Sequence, residues 1–306
     1  MIKRLIKTCG GIPIKLSLEL FDKIVVPILV YGAEVWGTKS REKIELVQRN
    51  FCKYILNVPN KTSNAATLGD LGRKPLSVIY KYKSIKFWLK IVQDDHRLIR
   101  NSSYRMLKTF SENRNCSNWV SDIKQMLYTY GFGDVWLRQN VGHPELFLTT
   151  FKQRLADNAF QNWHEELENN SKLSYYKDFK SLLNFEIYLS VDMYWTHRAA
   201  LARFRCGSHK LSIERLRYTN CERNQRLCKY CQTLNIQCIE DEYHFLLICP
   251  LYSELRNKYL GRYFRNDYPS IDKFNRILNC TKVNELKDLG AFVYYAMILY
   301  SDYNGL

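Results

Sequence analysis

The sequence predicts a mainly α-helical protein: a multi-segment helical array with a small Cys–Cys–His–Cys module near the C-terminus. Three observations predict it. Glycine and proline are scarce, 13 and 7 in 306 residues, so few positions force a helix to stop. Long stretches carry apolar residues at three- and four-residue spacing. Cys228, Cys231, His244 and Cys249 form two pairs whose spacing suits one metal ion. With 46% hydrophobic and 25% charged residues the composition is that of a folded chain, and the length suits about two cores.

Taken in order, residues 16–30 are apolar on more than one face and contain Pro27, which reads as a buried helix kinked near the proline. Residues 31–37 form a turn rich in aromatic residues and glycine. Residues 40–55 predict an amphipathic helix whose apolar side holds Ile44, Val47, Phe51, Cys52 and Ile55, ended by Pro59 and Asn60. A loop with a short helix covers residues 60–74. A second long helix spans 76–99, with Ile79, Tyr82, Ile85, Phe87, Trp88 and Ile91 as its apolar positions. Residues 101–118 read as a polar connection around a short helix. Residues 119–130 are helical until Gly131 and Gly133, and 144–167 are helical through Phe147, Phe151, Leu155, Phe160 and Trp163. Helical stretches at 175–189, 193–204 and 250–263 follow, with two more after residue 272. The tryptophans at 36, 88, 119, 136, 163 and 195 are expected in the core.

The formal charge is +16, from 46 Lys and Arg against 30 Asp and Glu. Such an excess points to a polyanionic partner, nucleic acid or an anionic surface, and says little about fold. It is concentrated in residues 198–229, where Arg198, Arg203, Arg205, Lys210, Arg215, Arg217, Arg223, Arg226 and Lys229 face only Glu214 and Glu222. These nine are the candidate nucleic-acid contacts, with His209, Tyr218 and Tyr230 as residues that can stack on unpaired bases. The plain alternative is a solvated basic face.

The N-terminus has no sustained apolar core, and the most apolar stretches, 24–31 and 289–300, fall well short of the roughly 20 residues a membrane-spanning helix needs. The expectation is an intracellular protein, nuclear or cytoplasmic, neither secreted nor membrane-bound. In a reducing compartment ten cysteines read as thiols and metal ligands, not as a disulfide framework.

Two residues separate Cys228 from Cys231, twelve separate Cys231 from His244, and four separate His244 from Cys249. Three thiolates and one imidazole fill a tetrahedral Zn²⁺ shell with no position left for water, which predicts a structural site, not a hydrolytic one. The middle is long enough for a hairpin, and Pro250 suits the first turn of a following helix. Cys238 is an alternative fourth ligand, but it has no matching second ligand after it. Core thiols beside a surface histidine remain the plain alternative.

Several of these segments together resemble the C-terminal region of non-LTR (LINE-type) retrotransposon reverse transcriptases. They are residues 20–37 (LFDKIVVPILVYGAEVWG), 44–51 (IELVQRNF), 55–59 (ILNVP), 66–76 (ATLGDLGRKPL) and 86–88 (KFW). Further on come 208–211 (SHKL), 226–231 (RLCKYC) and 240–250 (EDEYHFLLICP). The resemblance implies a thumb-like remnant over residues 1–60, a helical linker over 61–197, the basic segment and zinc module over 198–265, and C-terminal helices over 266–306. It implies binding of RNA, DNA or both, and no small-molecule substrate.

A polymerase centre of that family needs an aromatic-x-Asp-Asp hairpin and a third aspartate for two Mg²⁺ ions. The single Asp-Asp pair here, Asp94 and Asp95, follows Val92 and Gln93 on an amphipathic helix, so it lacks the aromatic and the hairpin and reads as a solvated helix end. No catalytic residues are assigned, and the expectation is a fragment or decayed copy without polymerase or endonuclease activity. The competing expectation is a domesticated helical scaffold that binds a protein and uses zinc only to hold its fold.

Overall fold

The computed structural model describes residues 12–95, 98–113, 116–264 and 268–305. It is mainly helical. Its principal helices are α1 (Ile14–Leu20), α2 (Glu42–Ile55), α3 (Asn64–Asp70), α4 (Ser77–Gln93), α5 (Ile99–Asn113), α6 (Trp119–Thr129), α7 (Pro144–Glu168), α8 (Trp195–Arg205), α9 (Lys229–Thr233), α10 (Ser253–Leu260), α11 (Ile271–Leu278) and α12 (Val283–Asn304). Among the described residues, β pairing is confined to two isolated antiparallel bridges, Leu71 with Phe185 and Leu227 with Ile239. No helix of the described residues is long and apolar enough to cross a membrane.

The described chain divides into two compact units that interleave in sequence: residues 18–48 with 74–163, and residues 12–17 with 49–73 and 164–305. In the first unit, Ile85, Trp88, Val120, Ile123, Leu127 and Phe151 are among the buried residues that bring α4, α6 and α7 around one core. Phe132 meets Phe147 edge-on at 5.4 Å, and the Trp88 indole N–H donates to the Tyr104 hydroxyl at 3.2 Å. Asn118 caps α6 by accepting from the backbone N–H groups of Val120 and Ser121, with Ser121 answering to the Asn118 N–H. The predicted start at residue 119 follows from this box.

In the second unit, α8 and α12 pack closely. A Cβ added at Gly290 would lie 3.2 Å from Met193 Sδ and 3.4 Å from His197 Cβ, so glycine permits the approach. Phe245 sits between them, 5.3 Å from Phe204 and 5.8 Å from Phe292.

Several sequence expectations need correction. The segment around Pro27 is not buried throughout, because Leu16 and Ile28 are exposed while Phe21, Val26 and Val30 are covered. It is also not simply kinked: a π turn (Phe21–Val25) takes up the irregularity ahead of the proline, whose missing N–H cannot extend the α-helical ladder. The helix predicted over 76–99 stops at Gln93, where Asp94 turns extended. The polar connection predicted after residue 100 is α5, which buries Asn101 and Tyr104. Residues 175–189 are not one helix. A single turn (Tyr176–Phe179) is followed by irregular chain, because Glu186 N–H is drawn to the Asp70 carbonyl at 2.9 Å. Trp195 is exposed, whereas Trp88, Trp136 and Trp163 are core.

Candidate metal centre

The Cys/His module is assembled by backbone hydrogen bonds that the sequence spacing only hints at. Arg226 carbonyl accepts from Glu240 N–H, and Cys238 carbonyl accepts from Cys228 N–H, both at 2.9 Å. These bonds flank the Leu227–Ile239 bridge and close the long middle of the motif into the expected hairpin. Cys228 precedes α9 and Cys231 lies within it. Asn235, at φ 61°, reverses the chain after α9.

His244 and Cys249 bracket a π turn, His244–Ile248, closed by Cys249 N–H to the His244 carbonyl at 2.8 Å. In an α-helix, side chains five residues apart point about 140° away from each other. The wider π turn brings Cys249 back towards His244.

The four donors converge. Cys228, Cys231, His244 and Cys249 are all buried, and their ligand atoms lie within 4.8 Å of one another. Cys228 Sγ is 3.8 Å and Cys231 Sγ 4.0 Å from Cys249 Sγ, and Cys231 Sγ is 3.4 Å from His244 Nε2. A tetrahedral ion with Zn–S of about 2.3 Å and Zn–N of about 2.0–2.1 Å requires S···S near ~3.8 Å and S···N near ~3.6 Å. The arrangement therefore fits a single metal ion, and is consistent with zinc. The sulfur separations are nearly twice a disulfide bond of about 2.05 Å. Cys238 stays outside the cluster and contributes its carbonyl, not its thiol.

Hydrogen bonding from Cys249 holds the Cys228 thiol well below the ordinary range, at about 3. Burial raises Cys231 to about 12, and the hydrogen bond to Cys228 pushes Cys249 up as well. Three buried thiols competing for negative charge in this way are a donor set that a cation would relieve. A buried cation is already close. Arg256 donates from Nε to the Leu246 carbonyl at 2.9 Å and from Nη2 to the Cys249 carbonyl at 3.0 Å. Its pKa falls to about 10 because it is buried. No signal in the sequence marked Arg256.

The acidic triplet before His244 ties three other segments to the module. Glu240 Oε2 accepts from Ser212 N–H at 2.7 Å and from the Tyr300 hydroxyl at 3.1 Å. Asp241 Oδ1 accepts from His244 N–H at 2.9 Å, and its Oδ2 accepts from the Tyr175 hydroxyl at 2.7 Å. Glu242 pairs with His209 Nε2 at 2.8 Å. His209, expected to stack on a base, is thereby removed from the surface, since its side chain is 1% exposed.

The nine cations of residues 198–229 do not form one surface. Arg205 is a correction: it is buried and donates from Nε to Asp70 Oδ2 at 3.1 Å and from Nη2 to Asp70 Oδ1 at 3.3 Å. It also pairs with Glu186 at 2.8 Å and lies over the rings of Phe179 and Tyr188. Such a guanidinium serves the fold and cannot reach a phosphate. Asp70, unnoticed in the sequence, is the hub, accepting also from the hydroxyls of Tyr176 and Tyr188 at 2.9 and 2.8 Å.

Four more are half-buried and engaged. Arg198 donates to the Val191 carbonyl, Arg215 to Ser212, Arg217 to Glu214, and Arg226 to the carbonyls of Cys221 and Ile213. Arg203, Lys210, Arg223 and Lys229 are exposed. Arg223 sits 4.0 Å from Asp241, and Lys229 directly follows Cys228. Asp94 closes α4 through its backbone N–H, which donates to the Ile91 carbonyl, and its carboxylate pairs with Arg100 at 3.0 Å. Of the other histidines, His143 and His164 are exposed, His197 is buried among tyrosines, and His96 lies outside the described residues.

Comparison of the chain with models of protein families, with curated proteins and with solved structures gives no match.

Proposed function

We propose that this chain binds nucleic acid and is related to the C-terminal region of non-LTR retrotransposon reverse transcriptases, with one structural Zn²⁺ held by Cys228, Cys231, His244 and Cys249. The observation that carries the reading is the tetrahedral separation of four buried donors in a chain of charge +16, with Arg223 and Lys229 exposed beside them. Zinc would complete its shell with protein ligands alone, so it would fix the fold and supply no activated water. The residues around it divide the work. Arg256 would offset part of the thiolate charge, Asp241 orients the His244 turn, and Glu240 anchors Ser212 and Tyr300. The exposed Arg223 and Lys229 would then be presented on a fixed frame to phosphate oxygens.

The interaction-scaffold reading has its own support. Arg198, Arg205, Arg215, Arg217 and Arg226 spend their donors within the protein. Fluorescence anisotropy with a labelled oligonucleotide at two salt concentrations separates the two. Each phosphate contact on a single strand contributes about −0.7 to the slope of log K against log salt. Arg223→Ala with Lys229→Ala should weaken binding and flatten that slope by roughly 1.4 if both touch phosphate. An unchanged slope moves the contact away from the module. No binding at low salt favours the scaffold.

A further inference from the structure

Of the three rings expected to stack on bases, His209 is buried and Tyr230 packs edge-on against Tyr303. Tyr218 stays open at 65% exposure. It is held in place from two sides. It closes a short turn (Leu216–Tyr218), and its hydroxyl donates to the Glu214 carboxylate at 3.3 Å. Glu214 is buried and takes Lys172 and Arg217 as well. The Lys61 ammonium lies 5.5 Å from the centre of the Tyr218 ring.

Lys61 belongs to the loop that follows α2, and that loop is tied down repeatedly. Asn57 adopts φ 53°. Its carbonyl accepts from Arg203 Nε at 2.8 Å. Lys53 Nζ donates to the Asn60 carbonyl at 2.7 Å, and Thr62 shares a hydrogen bond with Ser208 at 2.8 Å. Gly207, at φ +59°, lets the following chain pass the Lys172 carbonyl, which a Cβ would approach to 3.1 Å. Arg203 has five donor hydrogens and uses Nε and Nη2 on Asn57, so donors remain.

Lys61 and Arg203 are both exposed on this side of the loop, and the pKa of the buried Lys53 that ties the loop down is lowered, first by burial and then by the neighbouring charges of Arg49 and Lys172. An exposed, oriented ring among cations fits a planar base with its phosphates, whereas an acidic peptide would use only the charges.

Resting on the nucleic-acid reading above, we propose that Tyr218 and the loop of residues 57–61 seat one unpaired nucleotide, its base stacked on the Tyr218 ring and its flanking phosphates met by Lys61 and Arg203. A base within a duplex is already stacked on both faces and cannot cover this ring, so the seat selects single strands.

The test uses the full chain, a labelled oligothymidylate of about 12 nucleotides and a duplex of similar length. Tyr218→Leu keeps bulk and removes the aromatic face. It should weaken single-strand binding about tenfold and duplex binding much less, while Tyr218→Phe stays near the parent. Lys61→Glu, at an exposed position, is the second variant and should weaken single-strand binding by a similar factor. If the parent binds and Tyr218→Leu binds the oligothymidylate equally well, the seat is overturned and the nucleic-acid reading stands. A loss only with Lys61→Glu, or equal losses on strand and duplex, also overturns it, leaving a surface that reads charge alone. If the parent binds neither probe at low salt, the underlying reading fails and the seat with it.

Discussion

Replacing Arg205 with methionine separates a structural arginine from a nucleic-acid contact. The Asp70 carboxylate is fully buried and takes two hydrogen bonds from the guanidinium and one each from Tyr176 and Tyr188. Methionine keeps much of the volume but leaves Asp70 with two hydroxyls and no cation. Glu186 retains Lys180. Removing one partner of a buried pair costs about 3–5 kcal/mol. The Leu278 carbonyl also loses its donor, at 2.7 Å, worth about 1 kcal/mol and partly overlapping with the first loss. A total near ~4 kcal/mol is a large share of the roughly 5–15 kcal/mol that holds a domain together. Urea denaturation followed by circular dichroism should show the midpoint falling by at least about 1 M, given slopes of about 1–3 kcal/mol per molar. The salt dependence of oligonucleotide binding by the folded variant should not change. Asp70→Leu combined with Arg205→Met should recover part of the loss, because Asp70 no longer remains as a lone buried charge. An unchanged midpoint together with weaker binding and a flatter salt slope would refute the reasoning and return Arg205 to the surface.

Trp88→Ala in the first unit removes a fully buried indole and the donor to Tyr104, and should cost about 3–5 kcal/mol by chemical denaturation. Arg256→Met frees the carbonyls of Leu246 and Cys249 that frame the metal turn, and should lower metal affinity about 10- to 100-fold in chelator competition. Lys53 has a folded-state pKa below the ordinary 10.5, so between the two values the unfolded chain holds more protons and stability rises with pH. Lys53→Met should flatten that rise in denaturation midpoints measured across the alkaline range.

The helical class was legible because apolar periodicity and capping residues act locally. The segment after Asn118 and the long stretch from Pro144 appear where the sequence puts them. The Cys/His cluster was legible for a different reason: two close pairs need only one hairpin to meet, and the chain supplies it between Arg226 and Glu240. Arg205 was misread because a basic run looks solvated until a distant carboxylate is placed beside it, and Asp70 lies 135 residues away. His209 was misread and Arg256 went unmarked for a related reason, since their partners belong to turns that exist only once the module has closed. Residues 175–189 show the converse, a helix-compatible sequence overridden by tertiary bonds to Asp70.

The central claim is that Cys228, Cys231, His244 and Cys249 bind one zinc ion and close its shell. X-ray absorption at the zinc edge, on the purified 306-residue chain of measured metal content, tests this directly. One zinc per chain with three sulfur ligands near ~2.3 Å and one nitrogen near ~2.0–2.1 Å is the predicted result, with one sulfur lost in Cys249→Ser. Zinc with oxygen or water in its shell, fewer than three sulfurs, or an unchanged spectrum in that variant would contradict the account.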